Sequence, residues 1–155
     1  MIDSKIFNTS FNYIYMTLQD SEEEFFKANG YDDISYREIY HIVDVINLGK
    51  CTMKELAKVR HITPGTLTFV VNSLVERGYL KKERNASDKR ITHVIPTKKA
   101  IKIAKLHYMF HDYYLEEIFK RIDVDPDEMS ANAMAIVEIL DEVRDEFNKK
   151  YGSKK

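Results

Sequence analysis

The 155-residue chain contains one cysteine, Cys51. No internal disulfide can form, which excludes a disulfide-stapled secreted scaffold and fits a reducing compartment. Long apolar runs are also missing. No segment approaches the roughly 18 uninterrupted apolar residues that span a bilayer. The opening MIDSKIFNTSFNYIYM lacks the basic stretch and apolar run of a leader. The expectation is a soluble, cytoplasmic protein with no membrane partner. Repeats and low-complexity tracts are lacking, as are a Gly-rich phosphate loop, a nucleophile elbow and zinc-protease spacing. An enzyme is therefore not expected, nor a cofactor or resident metal. The 44% hydrophobic content rules out a disordered chain, and the length suffices for one core.

Charge is scarce in sum and abundant in distribution. The formal net charge is −1. Residues 1–49 hold 3 Lys/Arg against 9 Asp/Glu, a net −6. Residues 50–105 hold 14 against 4, a net +10, and residues 106–155 hold 7 against 12, a net −5. A basic middle between acidic ends is the footprint of a polyanion-binding module.

The periodicity is mainly helical. Phe11, Ile14, Tyr15 and Leu18 recur at helical spacing over about 8–27, and Asn29-Gly30 ends that helix. Ser35-Tyr36-Arg37-Glu38 is a capping box before the stripe Ile39, Ile42, Val43, Ile46. Thr52-Met53-Lys54-Glu55 opens a second, short helix with Leu56, Ala57 and Val59 facing inward. His61-Ile62 reads as a turn. Thr63 then caps a helix with Pro64 at its first position, burying Leu67, Val70, Val71 and Leu74 and stopping at Gly78. Residues 79–83 and 91–95 are β-prone around a polar loop, so a hairpin is predicted. A long helix from Pro96-Thr97 to about Ile122 and a last one capped at Asp125 complete the chain.

Two short helices, a tight turn and a charged hairpin are the parts of a winged helix-turn-helix, centred on 52–95. The second helix is the expected reader of double-stranded DNA. Its outward residues Gly65, Thr66, Thr68, Phe69, Asn72 and Ser73 are mostly small hydroxyl or amide groups suited to a major groove, with Thr63 at its cap. The hairpin is the expected wing. Arg84, Lys89 and Arg90 would grip phosphates or a minor groove, and Asp88 would shape the wing by bonding Arg90 or the backbone.

These residues resemble the MarR family of bacterial regulators. The likeness rests on Glu55-Leu56-Ala57, Ile62-Thr63-Pro64-Gly65-Thr66-Leu67-Thr68, Leu74-Val75-Glu76-Arg77-Gly78-Tyr79-Leu80 and Asp88-Lys89-Arg90. Pro96 and Ala100 depart from the family pattern at the wing–helix junction. The resemblance implies a mainly α fold with a small β wing and an obligate homodimer. In the implied layout, residues 1–34 form a dimerisation helix, 35–96 the DNA-binding domain, and 97–155 a long helix and a second dimerisation helix. Asp33-Ile34-Ser35, Glu38, His41, Leu106-His107, Phe110-His111 and Lys98-Lys99 are also similar to the FabT-like repressors of fatty-acid synthesis genes. That likeness implies a small-molecule or acyl carrier protein-bound acyl effector, with His41, His107, Phe110 and His111 as effector-binding residues. Two alternatives stand beside it. One is a zinc-responsive regulator, since His107 and His111 share a helix face and Asp112, Glu116 and His41 are further candidate ligands. The other is a winged-helix protein-interaction module, which does not require the +10 to fall on reader and wing. Cys51, in a Gly49-Lys50-Cys51 turn near Lys50 and Lys54, is a redox candidate.

Overall fold

The computed structural model describes residues 3–60 and 62–151. Two compact units, 1–111 and 112–155, divide it. Among the described residues, six helices and three strands follow in the order α1 (Ser4–Ala28), α2 (Tyr36–Leu48), β1 (Cys51–Thr52), α3 (Met53–Arg60), α4 (Pro64–Glu76), β2 (Leu80–Arg84), β3 (Thr92–Pro96), α5 (Lys98–Phe119) and α6 (Pro126–Tyr151).

Caps set most of these boundaries. Asp3 accepts from the amides of Lys5 and Ile6 at 3.0 and 3.2 Å, so α1 begins earlier than its apolar periodicity predicts. Glu38 accepts from the Ser35 amide at 3.0 Å and its hydroxyl at 2.9 Å. At α3 the box is reciprocal: Glu55 accepts from the Thr52 amide at 2.7 Å, and Thr52 Oγ1 accepts from the Glu55 amide at 3.3 Å. Asp125 accepts from the amides of Asp127 and Glu128 to open α6. Gly49 ends α2 and Gly78 follows α4, each in the left-handed region (φ 72° and 76°) where a side chain would be strained.

The predicted hairpin is present, shifted by one residue, with a third strand on it. The antiparallel sheet has the order β1-β3-β2, pairing Leu80 with Pro96 and Arg84 with Thr92 on one side of β3, and Cys51 with Val94 on the other. Cys51 is thus not in an open turn. It is buried, and its thiol pKa is pushed up by desolvation and by Glu55, the reverse of a reactive thiolate. Pro96 fits β3 as its last residue, where the missing N–H costs least. Thr97 then caps α5, its Oγ1 accepting from the Ala100 amide at 3.3 Å.

The core of the first unit joins Phe26 of α1, Ile39, Ile42 and Val45 of α2, Leu56 of α3, and Leu67, Val71 and Leu74 of α4. Tyr79, Leu80, Val94, Ala100 and Ile103 also belong to it. Val59, predicted inward, is 47% exposed; the buried residues of the eight-residue α3 are Leu56 and Ala57, with Met53 packed against the core. The turn predicted at His61-Ile62 is described only in part, since His61 lies outside the described residues. Ile62 itself is half-buried.

A polar knot closes this core. Arg77, just past α4, donates to Glu38, to the Asp33 carbonyl and to Ser73. The Tyr79 hydroxyl donates to Asp33 at 2.6 Å, and Lys99 donates to the same carboxylate at 3.2 Å while lying 3.8 Å over the Tyr79 ring. Burial pushes the Glu38 carboxyl up, but donors from Arg77 and Ser35 outweigh it and hold it below its usual 4.5. A depressed carboxyl contributes stability above its unfolded pKa and loses it as pH falls through the folded value. Glu38→Gln is therefore expected to cost about 1–3 kcal/mol at pH 7. In urea melts from pH 7 to pH 3 the deficit should shrink below about pH 4.5; an unchanged deficit would refute the charge-based account.

Candidate nucleic-acid interface

Helix α4 turns its apolar residues Leu67, Val71 and Leu74 fully inward, so the opposite face is left outside. Gly65, Thr66, Thr68, Phe69 and Asn72 are all exposed, and Phe69 is 79% exposed. An aromatic ring so bare on a helix otherwise lined with small polar groups lacks a partner in the core. Thr63 anchors the start of the helix, its Oγ1 accepting from the Thr66 amide at 3.3 Å and lying 3.0 Å from the Thr66 hydroxyl. A Cβ added at Gly65 would meet only Thr63 Oγ1, at 3.9 Å. Nothing within the protein demands glycine there. The missing side chain leaves the first turn open, with its amides and helix dipole directed outward.

The wing follows through β2 and β3. Its tip is folded on itself: Asn85 Oδ1 accepts from the amides of Ser87 and Asp88 at 2.8 and 3.1 Å, and the Asn85 amide donates to the Ile91 carbonyl at 2.9 Å. Asp88 accepts from the Arg90 amide at 3.0 Å and takes the guanidinium in a two-point fork, Nε to Oδ1 at 3.1 Å and NH2 to Oδ2 at 3.0 Å. These bonds lower the Asp88 pKa and raise that of Arg90. The fork fixes the Arg90 side chain while leaving it 91% exposed. Arg84 and Lys89 are exposed beside it.

Two pairings tie the hairpin to its surroundings in ways the sequence did not suggest. Lys82 on β2 donates to the Asn72 amide oxygen, so Asn72 is engaged with the hairpin. Lys50 pairs with Glu83, which leaves the wing's only glutamate neutralised. Both pairings join residues at least ten apart in the chain, beyond the reach of a local pattern.

A capped helix with a small-residue outer face, followed by a cationic hairpin with a preset arginine, is a winged helix-turn-helix in sequence order and in space. A family model describing the MarR family matches residues 34–91, the stretch containing these parts. Over that stretch the chain matches the MarR family. Its fold is similar to the DNA complex of FabT from Streptococcus pneumoniae, 25% identical, with a TM-score of 0.78 over 92% of this chain and 99% of that one. It is also similar to an E. coli MarR mutant complexed with operator DNA, 19% identical, with a TM-score of 0.66 over 86% and 92% of the two chains. The HTH-type transcriptional regulator SarZ of Staphylococcus haemolyticus is 24% identical over 126 residues, 81% of this chain and 83% of SarZ. The chain shares the mainly α, β-winged fold of these FabT and MarR structures. No helix among the described residues is long and apolar enough to cross a membrane.

The residues expected to sense an effector do not form one group. His41 lines an open pocket of about 890 Å³ with Tyr15, Tyr36, Tyr40, Arg60 and Val70. Its Nδ1 is buried without a hydrogen-bond partner among the described residues, and burial together with Arg60 depresses its pKa. The pocket reaches Thr66 on the reader helix. His107 and His111 turn instead to Glu22 of α1, and Phe110 packs on Phe25 at 5.7 Å between ring centres. Glu22 is fully buried, and sequence reasoning missed it: in Ser21-Glu22-Glu23-Glu24 it reads as one member of a solvated acidic run. Neither Asp112 nor Glu116 joins this cluster.

The wing geometry separates two effects of Asp88. Asp88→Ala removes a negative charge but also releases the Arg90 fork. The exchange of the Arg90 Nε proton, followed by NMR, should rise at least tenfold in the variant, and no change would show that the fork does not persist in solution.

Proposed function

We propose that the protein binds a pseudo-palindromic operator as a homodimer and represses transcription by occluding a promoter. The observation that carries this reading is the outer face of α4, Gly65, Thr66, Thr68 and Phe69, exposed beside a wing whose Arg90 is already oriented. In this reading α4 enters the major groove. Thr66 and Thr68 bond base edges, Phe69 meets a thymine methyl, and Thr63 with the first-turn amides takes a phosphate. Asn72 acts near the base edges and positions Lys82. Arg84, Lys89 and Arg90 hold the backbone or minor groove, and Asp88 shapes the wing. The +10 of residues 50–105 supplies the counterion release that such binding draws on.

The homodimer is supported by apolar surface with no cover among the described residues. On α1, Ile6, Phe7, Phe11 and Ile14 are 57–65% exposed; on α6, Ile136, Ile139, Leu140, Val143 and Phe147 are 52–60% exposed. A soluble chain rarely leaves such stripes to water, and a second copy would bury them. Residues 1–34 and 97–155 are thus assigned to dimerisation around the DNA-binding part, 35–96. Two symmetric readers imply half-sites one helical turn apart, about 34–36 Å.

For the signal, we favour an acyl chain, delivered on acyl carrier protein, as corepressor of fatty-acid synthesis genes. Support comes from the FabT-like residues Glu38 and His41, which both line the pocket. The pocket adds to it, because its tyrosines, Ile62 and Val70 suit an apolar ligand and its wall includes the reader residue Thr66. A ligand seated there would touch α2 and α4 together, so it would favour one reader position over another.

Fluorescence anisotropy with duplex DNA from upstream of the protein's own gene tests the reading. Wild type should prefer that duplex to scrambled DNA. Arg90→Ala should weaken both and lower the log–log salt slope by about 1. Thr66→Ala and Thr68→Ala should reduce the preference itself. Equal affinity for both duplexes would overturn specific repression. Sedimentation at micromolar concentration should give twice the chain mass, and Phe11→Asp with Ile14→Asp should shift it toward monomer.

A further inference from the structure

Glu22, His107 and His111 come from helices far apart in the chain and meet at one buried point. Glu22 is 0% and His107 5% exposed. Glu22 Oε1 lies 2.5 Å from His107 Nδ1, and Oε2 lies 3.4 Å from His111 Nε2. All three ligating atoms are within 4.8 Å of one another. Oε2 has no hydrogen-bond partner among the described residues, so the carboxylate is only half satisfied although wholly enclosed.

We propose that Glu22, His107 and His111 are the protein ligands of a divalent transition-metal ion of the zinc class, held between α1 and α5. Two imidazole nitrogens and one carboxylate oxygen form a borderline-hard donor set of the kind such ions take, with one position open. Bonds of about 2.0–2.2 Å place tetrahedral ligands about 3.3 Å apart. The 3.4 Å pair already has that spacing. The 2.5 Å pair opens by less than 1 Å when the ion replaces the proton on His107 Nδ1 and the imidazole carries its proton on Nε2 instead. The Tyr40 hydroxyl, 3.5 Å from His111 Nε2, stands where it can bond a water or anion at the fourth position. The unsatisfied Oε2 gains a cation or a bond to metal-bound water.

The site would act on the rest of the first unit through Tyr40. The Tyr36 hydroxyl donates to that of Tyr40 at 3.1 Å, Arg60 of α3 lies 5.3 Å over the Tyr40 ring, and both tyrosines line the pocket that reaches Thr66. An ion fastening α1 to α5 therefore biases the segment that carries the reader, and DNA would tighten or loosen the metal by the same factor. This regulatory step rests on the DNA-binding reading above, but metal binding does not.

The test uses the full-length dimer, stripped of metal by chelator and dialysis. Co²⁺ is titrated and read by its visible ligand-field absorption, then displaced by Zn²⁺. The expected result is saturation at one ion per chain, with intensity typical of four-coordinate cobalt, and a rise in Tm of several degrees with Zn²⁺. Glu22→Gln and His107→Gln should each weaken the metal at least 100-fold, while His93→Gln, away from the cluster, should not. Circular dichroism identifies any variant that fails to fold, and His111→Gln, at the half-exposed ligand, then serves in its place. Absence of stoichiometric absorption in the wild type, or its persistence in His111→Gln, would overturn the site and leave the cluster a hydrogen-bonded network. Stoichiometric metal binding with no preference for the upstream duplex would keep the site and sink the DNA reading instead.

Discussion

The guanidinium of Arg77 sits where the reader helix ends, and the geometry of the DNA-binding part hangs on it. One planar group bonds Ser73 of α4, the carboxylate that caps α2, and the backbone at Asp33. Its neighbours Tyr79 and Lys99 hold the Asp33 side chain from the other side. A lysine at position 77 would supply one point charge and could not bridge three elements. Because Arg77 is followed by the left-handed Gly78, the chain leaves α4 and enters β2 with little freedom. The orientation of reader to wing is set at this junction.

The wing illustrates how an acidic residue can serve a surface meant for a polyanion. Asp88 is repulsive toward phosphate, yet its fork removes much of the rotamer freedom that Arg90 would otherwise lose on binding. Asn85 does the same for the loop backbone. Lys82 and Asn72 extend the principle to the seam between α4 and β2.

Capping residues made α2, α3 and α4 legible, because Ser35, Thr52 and Thr63 announce their helices through local hydrogen bonds that need no tertiary partner. The outward face of α4 follows from the same periodicity. Strand β1 escaped because two residues carry no alternation; only their register with Thr92–Pro96 makes them a strand. Glu22 escaped for a different reason. Burial of a carboxylate depends on partners 85 residues away, and nothing adjacent to it marks that fate. The histidines at 107 and 111 did signal a shared face, while His41 turned to the pocket instead, a separation that one-dimensional spacing does not contain.

The sheet order β1-β3-β2 has a bearing on how copies of the chain can associate. Its interior strand is β3, so the two rims are the two-residue β1 and the segment Leu80–Arg84, whose sequence is LKKER. A rim that short, and another that dense in charge, make poor templates for strand addition. The sheet is thereby a poor template for edge-to-edge growth, which leaves the exposed apolar stripes of the helices as the surfaces open to a second copy.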